Sequence, residues 1–386
     1  MSDDILALNV GSSSLRFALF DAADLALRLR GHVDFGHAHA RTVLGGPLAG
    51  QLGGSIVAGQ DAGEAMERLI DALHSGLPQL SLCCASHRIL HGGDLEPRPH
   101  LLHAALVARL QQWAPMALPQ QSLVLQAVSR IAQRWPGLPQ VACLDTAFHA
   151  TQPDLARRYA LPRRYTEAGI RRHGFHGLAC ESVADALPRL AGAAADGRVV
   201  IVHLGAGSSL CALRQRQSIA SSSGFSVLDG LPAATRCGSL DPGAVLYLLR
   251  RCGLDLDAVE DLLYRRSGLL GVSGLSADIR LLQTSSDPHA QQALDLLVYR
   301  AAAEIGAMAA CLEGLDAIVF SGAAGTGSAL LRARIAQRCA WLGVELDAAA
   351  NERGEACIGR PGARVAAYLV HVDEELMLAR AARALL

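Results

Sequence analysis

Short apolar or β-branched runs alternate along this chain with longer segments of helical period. The runs predict strands at 5–10 (ILALNV), 14–20 (SLRFALF), 140–145 (QVACLD), 199–205 (VVIVHLG), 315–322 (LDAIVFSG) and 363–372 (ARVAAYLVHV). The longer segments predict helices at 61–76, 119–137, 294–314 and 373–386, several of them closed by Gly or Pro. Alternation of this kind predicts an α/β fold. Residues 31–60, rich in Gly and His, interrupt it and read as loops or a hairpin. His32, His37 and His39 fall there and could ligate a metal, but the Gly-rich setting favours a solvated loop.

One stretch is echoed. LNVGSSSLRFAL at 8–19 and VHLGAGSSLCAL at 202–213 share a plan of strand, polar residue (Asn9 or His203), Gly, small residues and a second strand. Two copies predict two similar domains facing each other. A third small-residue turn, VFSGAAGTG at 319–327, follows another strand. Turns of Gly, Ala and Ser leave backbone N–H groups open to an anion, and serine hydroxyls add donors, which suits phosphate. A single such turn is more simply a tight hairpin that uses Gly for its φ angle; two facing copies favour phosphate.

Composition narrows the field. The 386 residues, 51% of them hydrophobic, suffice for two domains. Basic and acidic residues balance at 35 against 36, so neither nucleic acid nor an anionic membrane is expected as a partner. The ten cysteines lack CxxC pairs and read as reduced core thiols. The N-terminus lacks a signal-peptide pattern and no apolar stretch approaches the ~20 residues of a membrane span, so a cytoplasmic protein is expected.

Four segments place charged or hydrogen-bonding groups just after apolar strands, where sites of α/β folds collect: CCASHRILHGG, VACLDTAFH, RRHGFHG and GLPAATRCGSLDP. Taken singly, Arg88 and Arg236 read as surface ion-pair partners, Asp145 as a turn residue or helix cap, and His176 as a satisfied half-buried histidine. Together, and in this order with NVGSSSLRFALF, HLGAGSS, SGLLGVSGLSADIR, DAIVFSG and DEELMLAR, the segments resemble acetate kinases and their short-chain carboxylate relatives. That family belongs to the actin-like superfamily of kinases. The resemblance implies two actin-like (ribonuclease H-like) domains with a cleft between them: residues 1–147 plus 372–386, and 148–371, the second carrying most nucleotide contacts. It also implies a homodimer and Mg²⁺-dependent phosphoryl transfer between ATP and acetate, with Mn²⁺ as a substitute ion and propionate as a second acceptor.

The resemblance implies the following roles where residues match. Arg88 binds the substrate carboxylate, and Leu90, Met116, Phe175 and Val227 bound its apolar end. Asp145 is essential to catalysis, and His176 and Arg236 stabilise the transferring phosphoryl group. Asn9 and Glu374 match the magnesium-site residues, although Asp373 is also a good helix cap and a first-turn glutamate suits the helix dipole without a metal. The nucleotide side comprises Ser12, Ser14 and Arg16 in the first turn, His203, Leu204, Gly205, Ala206 and Gly207 in the second, Asp278, Ile279 and Arg280, and Ala323, Ala324, Gly325, Thr326 and Gly327 in the third.

The chain departs from the family pattern mainly on that side. Ala117 and Leu118 stand at a His and an Asn position, Ala206 replaces a phosphate-proximal asparagine, Thr326 and Gly327 replace Glu and Asn near the adenosine, and Arg16 replaces a lysine. Ordinary ATP use with a raised KM is the leading expectation. A compact donor such as pyrophosphate, or a nucleotide-binding scaffold with little turnover, are the alternatives.

Overall fold

The computed structural model describes residues 3–11, 14–34, 42–52, 61–118 and 120–386. It divides into two compact units, Met1–Ala147 with Asp373–Leu386, and Phe148–Val372.

The first unit is built on seven strands: β1 (Asp4–Val10), β2 (Ser14–Asp21), β3 (Leu27–Asp34), β4 (Thr42–Gly45), β5 (Leu82–Ile89), β6 (His100–Leu101) and β7 (Gln140–Leu144). Their spatial order is β4-β3-β2-β1-β5-β7-β6. β1, β2 and β3 form an antiparallel meander, whereas β1, β5 and β7 run parallel. β1 is buried along its whole length, as expected of a central strand covered on both faces. The helix Glu374–Leu385 lies against β1, β2 and β5. The hairpin option for residues 31–60 is realised in part, since His32 lies within β3 and β4 pairs with it; His37 and His39 lie outside the described residues.

The second unit repeats the plan with β8 (Arg198–Leu204), β9 (Ser208–Arg214), β10 (Gln217–Ser221), β11 (Ala317–Ser321) and β12 (Ala366–Leu369), ordered β10-β9-β8-β11-β12. Again the first three strands form an antiparallel meander, and the first, fourth and fifth run parallel. Alternate residues of β8 feed two cores. Val200, Val202 and Leu204 face the long helix Pro288–Leu312, while Val199 and Ile201 face the helix Gly177–Ala191. The sequence echo is therefore the first hairpin of each sheet. The two copies differ by one residue at the turn: Val10 pairs with Leu15, but Leu204 pairs with Ser208.

Candidate active site

In the first unit the chemistry collects at the carboxyl ends of the parallel strands, where α/β sheets leave side chains standing clear of the ladder. Asn9 is the penultimate residue of β1, Arg88 that of β5, and Asp145 follows β7, its N–H donating to Ile89 O at 2.8 Å. Glu374 opens the helix that crosses this sheet. Asp373 does cap that helix, its carboxylate accepting from Leu376 N at 3.0 Å. Glu374 itself is 4% exposed, and its Oε2 accepts from Arg88 and Asn9.

Arg88 ties these groups together. Its Nε and Nη2 both donate to Asp145 Oδ2, at 3.0 and 2.6 Å, and its Nη1 donates to Glu374 Oε2 at 3.2 Å and Asn9 Oδ1 at 3.3 Å. Asn9 Nδ2 in turn donates to Glu374 Oε2 at 2.6 Å. Burial opposes the charge on Arg88, but the carboxylates of Asp145 and Glu374 outweigh it and hold the guanidinium above its usual pKa. Arg88 pairs with two buried carboxylates rather than at the surface, and Asp145 is a turn residue that is fully buried. Arg16 pairs across the hairpin with Asn9. Ser14 begins β2, and Ser12 lies outside the described residues. Leu90 is buried and Met116 half-buried.

Sequence reasoning missed Glu375, the second glutamate of the same motif. It is buried, 3.4 Å from Asn9 Nδ2, and burial with Glu374 beside it raises its pKa. The donors here are hard oxygens, and among the described residues no group of three or more His, Cys, Asp or Glu side chains is placed to hold a metal. That donor set fits Mg²⁺, which is held by one or two carboxylates plus water and substrate phosphate rather than by an all-protein cage.

The second unit gathers donors around its own first hairpin. His176 is the left-handed residue (φ 56°, ψ 33°) before the helix Gly177–Ala191. Its Nδ1 lies 2.9 Å from Ser209 Oγ, and its ring lies against that of His203 with centroids 5.0 Å apart. His203 reaches Ser321 Oγ at 3.1 Å. Arg236 donates from Nη1 to Val227 O at 3.1 Å. A Cβ built on Gly207 would lie 2.8 Å from both Arg236 Nη2 and His176 Nε2. Glycine at 207 thus leaves open the space on which a guanidinium and an imidazole converge, an arrangement suited to an oxyanion.

The third turn forms the short helix Gly322–Gly327. A Cβ on Gly205 would come within 3.9 Å of Ala323 N, so the second and third turns adjoin. Leu204 and Ile279 are core residues, which leaves only their backbone for a ligand. Asp278 and Arg280 pair with each other at 2.8 Å on the surface. Thr326 Oγ1 donates back to Gly322 O at 2.9 Å. Thr326 and Gly327 border a cavity of about 540 Å³ that also touches Gln283, Arg332 and His371. Of the residues named for the carboxylate, Phe175 is buried beside His176 and Val227 is half-buried.

Comparison with known proteins gives the family of the chain. A model of the Acetokinase family matches residues 4–380. The chain is 45% identical to an acetate kinase of Rhodopseudomonas palustris, over 98% of both chains. It is 41% identical to an acetate kinase of Rhizobium meliloti, over 100% of this chain and 98% of the other. A propionate kinase from Francisella tularensis subsp. tularensis superposes with a TM-score of 0.87 at 27% identity, covering 98% of both chains. Porphyromonas gingivalis acetate kinase gives 0.81, also at 27% identity and 98% of both chains.

Proposed function

The chain belongs to the acetokinase family, and from that premise we propose that it transfers the γ-phosphoryl group of ATP reversibly to acetate, giving acetyl phosphate and ADP, with propionate as a second acceptor. The observation that carries this reading is Arg88, a half-buried guanidinium at the carboxyl end of β5 held by Asp145, Glu374 and Asn9.

A carboxylate of pKa 4 to 5 is already ionised near pH 7, so the nucleophile needs no general base. The obstacle is repulsion between an anionic acid and an anionic triphosphate. Arg88 offers the acid a positive charge and a directional N–H. One acetate oxygen then bonds to the γ-phosphorus as the bond from phosphorus to the β,γ-bridging oxygen breaks, and the electron pair leaves with ADP. His176 Nε2 and Arg236 Nη2, which converge at Gly207, are the donors for the charge that spreads over the equatorial oxygens. A Mg²⁺ held by Asn9 and Glu374 would supply further charge neutralisation for the phosphates. Asp145 fixes Arg88 through two hydrogen bonds and acts here by orientation.

Assay of acetate, ATP and Mg²⁺ with hydroxylamine trapping of acetyl phosphate tests the proposal. Turnover is expected, and none with any short-chain acid or donor would refute it. Thr326, whose hydroxyl is engaged by Gly322 O, favours a second reading in which a compact donor replaces ATP; a donor panel that includes pyrophosphate separates the two. A cytoplasmic homodimer follows from the family resemblance.

A further inference from the structure

His149, in the short turn Ala147–Thr151, is fully buried and has no part in the chemistry above. Its Nε2 lies 2.9 Å from Phe175 O, its Nδ1 3.0 Å from Ser218 Oγ, and Gln152 Nε2 donates to that same hydroxyl oxygen at 2.9 Å. A carbonyl can only accept, so Nε2 carries the proton; Nδ1 then accepts from Ser218, which accepts from Gln152. Cys211 Sγ lies beside this pair, 3.9 Å from Nδ1 and 3.3 Å from Ser218 Oγ. The tautomer is set by its neighbours.

We propose that His149 is a positioning residue for His176, holding the peptide plane that precedes it; this rests on the reading of His176 as a phosphoryl-stabilising donor. The Phe175 carbonyl belongs to the same peptide unit as the His176 N–H, so a hydrogen bond that orients it fixes φ of His176. That angle is 56°, a left-handed value that costs a non-glycine residue about 1 to 2 kcal/mol. The following peptide is pinned by Cys180 N donating to His176 O at 3.0 Å, and the ring by Ser209 at 2.9 Å. With both planes and one ring nitrogen fixed, Nε2 is left facing the space at Gly207. Gly174 admits this arrangement: its φ is +79°, and a Cβ there would lie 2.5 Å from the His149 ring. A histidine kept only to fill space would need neither the close glycine nor the oriented proton.

A double-mutant cycle with His176→Ala tests the inference, with kcat and both KM values as readouts. His149→Ala is expected to lower kcat about 10- to 100-fold, the scale of an ångström of misplacement. KM for ATP and acetate should stay within about threefold, and His149→Gln, whose amide N–H can reach Phe175 O, should recover most of the loss. In the His176→Ala background, His149→Ala should cost less than about twofold, because its effect passes through the missing imidazole. A full additional loss in that background, or a loss confined to KM, overturns the proposal. Should His149→Ala not fold, Ser218→Ala releases the tautomer and enters the same cycle with the same criteria. No loss in His176→Ala alone would overturn the His176 assignment and this inference with it, an outcome distinct from a failure at His149 only.

Discussion

Replacing Arg88 by alanine separates its two duties. Its side chain is 15% exposed, between Asp145 at 1% and Glu374 at 5%. Four of its N–H groups already point at Asp145, Glu374 and Asn9, so an incoming carboxylate gains about one charge-assisted hydrogen bond. Such a bond is worth about 1.5 to 3 kcal/mol, or roughly 10- to 200-fold in acetate KM. Truncation also takes the cation away from two buried carboxylates. Removing one partner of a buried pair costs about 3 to 5 kcal/mol, which for a unit of this size corresponds to a Tm drop on the order of 10 °C. Acetate titration, a fluorescent ADP analogue and calorimetry report the three quantities. Acetate KM should rise steeply, nucleotide Kd should stay within about twofold, and Tm should fall. Adding Asp145→Asn should return part of the lost Tm without returning turnover. Nucleotide Kd weakening by the same factor as acetate KM, or an unchanged Tm, would refute the reasoning.

Two further outcomes follow. Gly207→Ala puts a methyl 2.8 Å from both His176 Nε2 and Arg236 Nη2, so kcat should fall about 100-fold in a protein of near-native Tm; activity within threefold of the parent would show that this space is not used. His87 and His173 are buried, and burial lowers each pKa from the usual 6.5 to about 4, against the raising effect of their hydrogen bonds to Gln140 and Gly169 O. A depressed folded-state value means the unfolded chain takes up the protons first, so this stability is present above pH 6.5 and is lost as the pH falls toward 4. For His87 the loss is roughly 3 kcal/mol, and His87→Asn should flatten the fall of Tm across that window; an equally steep fall would contradict it.

How much was legible depended on the range of the interaction. The central strands β1, β7, β8 and β11 announced themselves as continuous apolar runs, whereas β5, carrying Ser86, His87 and Arg88, was not among the predicted strands, and the echo at 8–19 and 202–213 did mark equivalent hairpins. β3 and β4 were harder to see: β4 is the edge strand and β3 lies next to it, both of mixed burial, and half-buried His32 and the side-chain-free Gly31 weaken the alternation. The long helix starts at Pro288, ahead of the apolar period at 294, because Asp287 caps it and proline suits its first turn. Residue types at the site could be read from motifs, but the bond from Arg88 to Asp145 could not, since it arises when β5 and β7 pair in parallel across 57 residues. His149 lies inside the VACLDTAFH motif, but its role was not legible there because Phe175 and Ser218 become its neighbours only in the folded chain.

The third turn shows how side-chain recognition can drift while the backbone is held. Thr326 and Gly327 stand where the family has Glu and Asn; the threonine hydroxyl is turned back to Gly322 O, and a Cβ on Gly327 would meet open space. Yet the turn is braced. Arg332, 1% exposed, donates from Nη1 to Gly325 O at 2.9 Å and Thr326 O at 2.7 Å, and from Nε and Nη2 to Asn351 Oδ1 and O at 2.7 and 2.6 Å. A guanidinium buried on backbone carbonyls keeps the loop's path fixed whatever its outward side chains become. Losing two polar contacts at about 1 kcal/mol each should weaken ATP by roughly 10- to 30-fold and leave acetate untouched. The reverse exchange, Thr326→Glu with Gly327→Asn, should therefore lower ATP KM by up to that factor, with acetate KM constant and a larger preference for ATP over pyrophosphate. If ATP KM does not move while the variant keeps its Tm, the adenosine end of the nucleotide lies elsewhere and the side chains at 326 and 327 have no part in binding it.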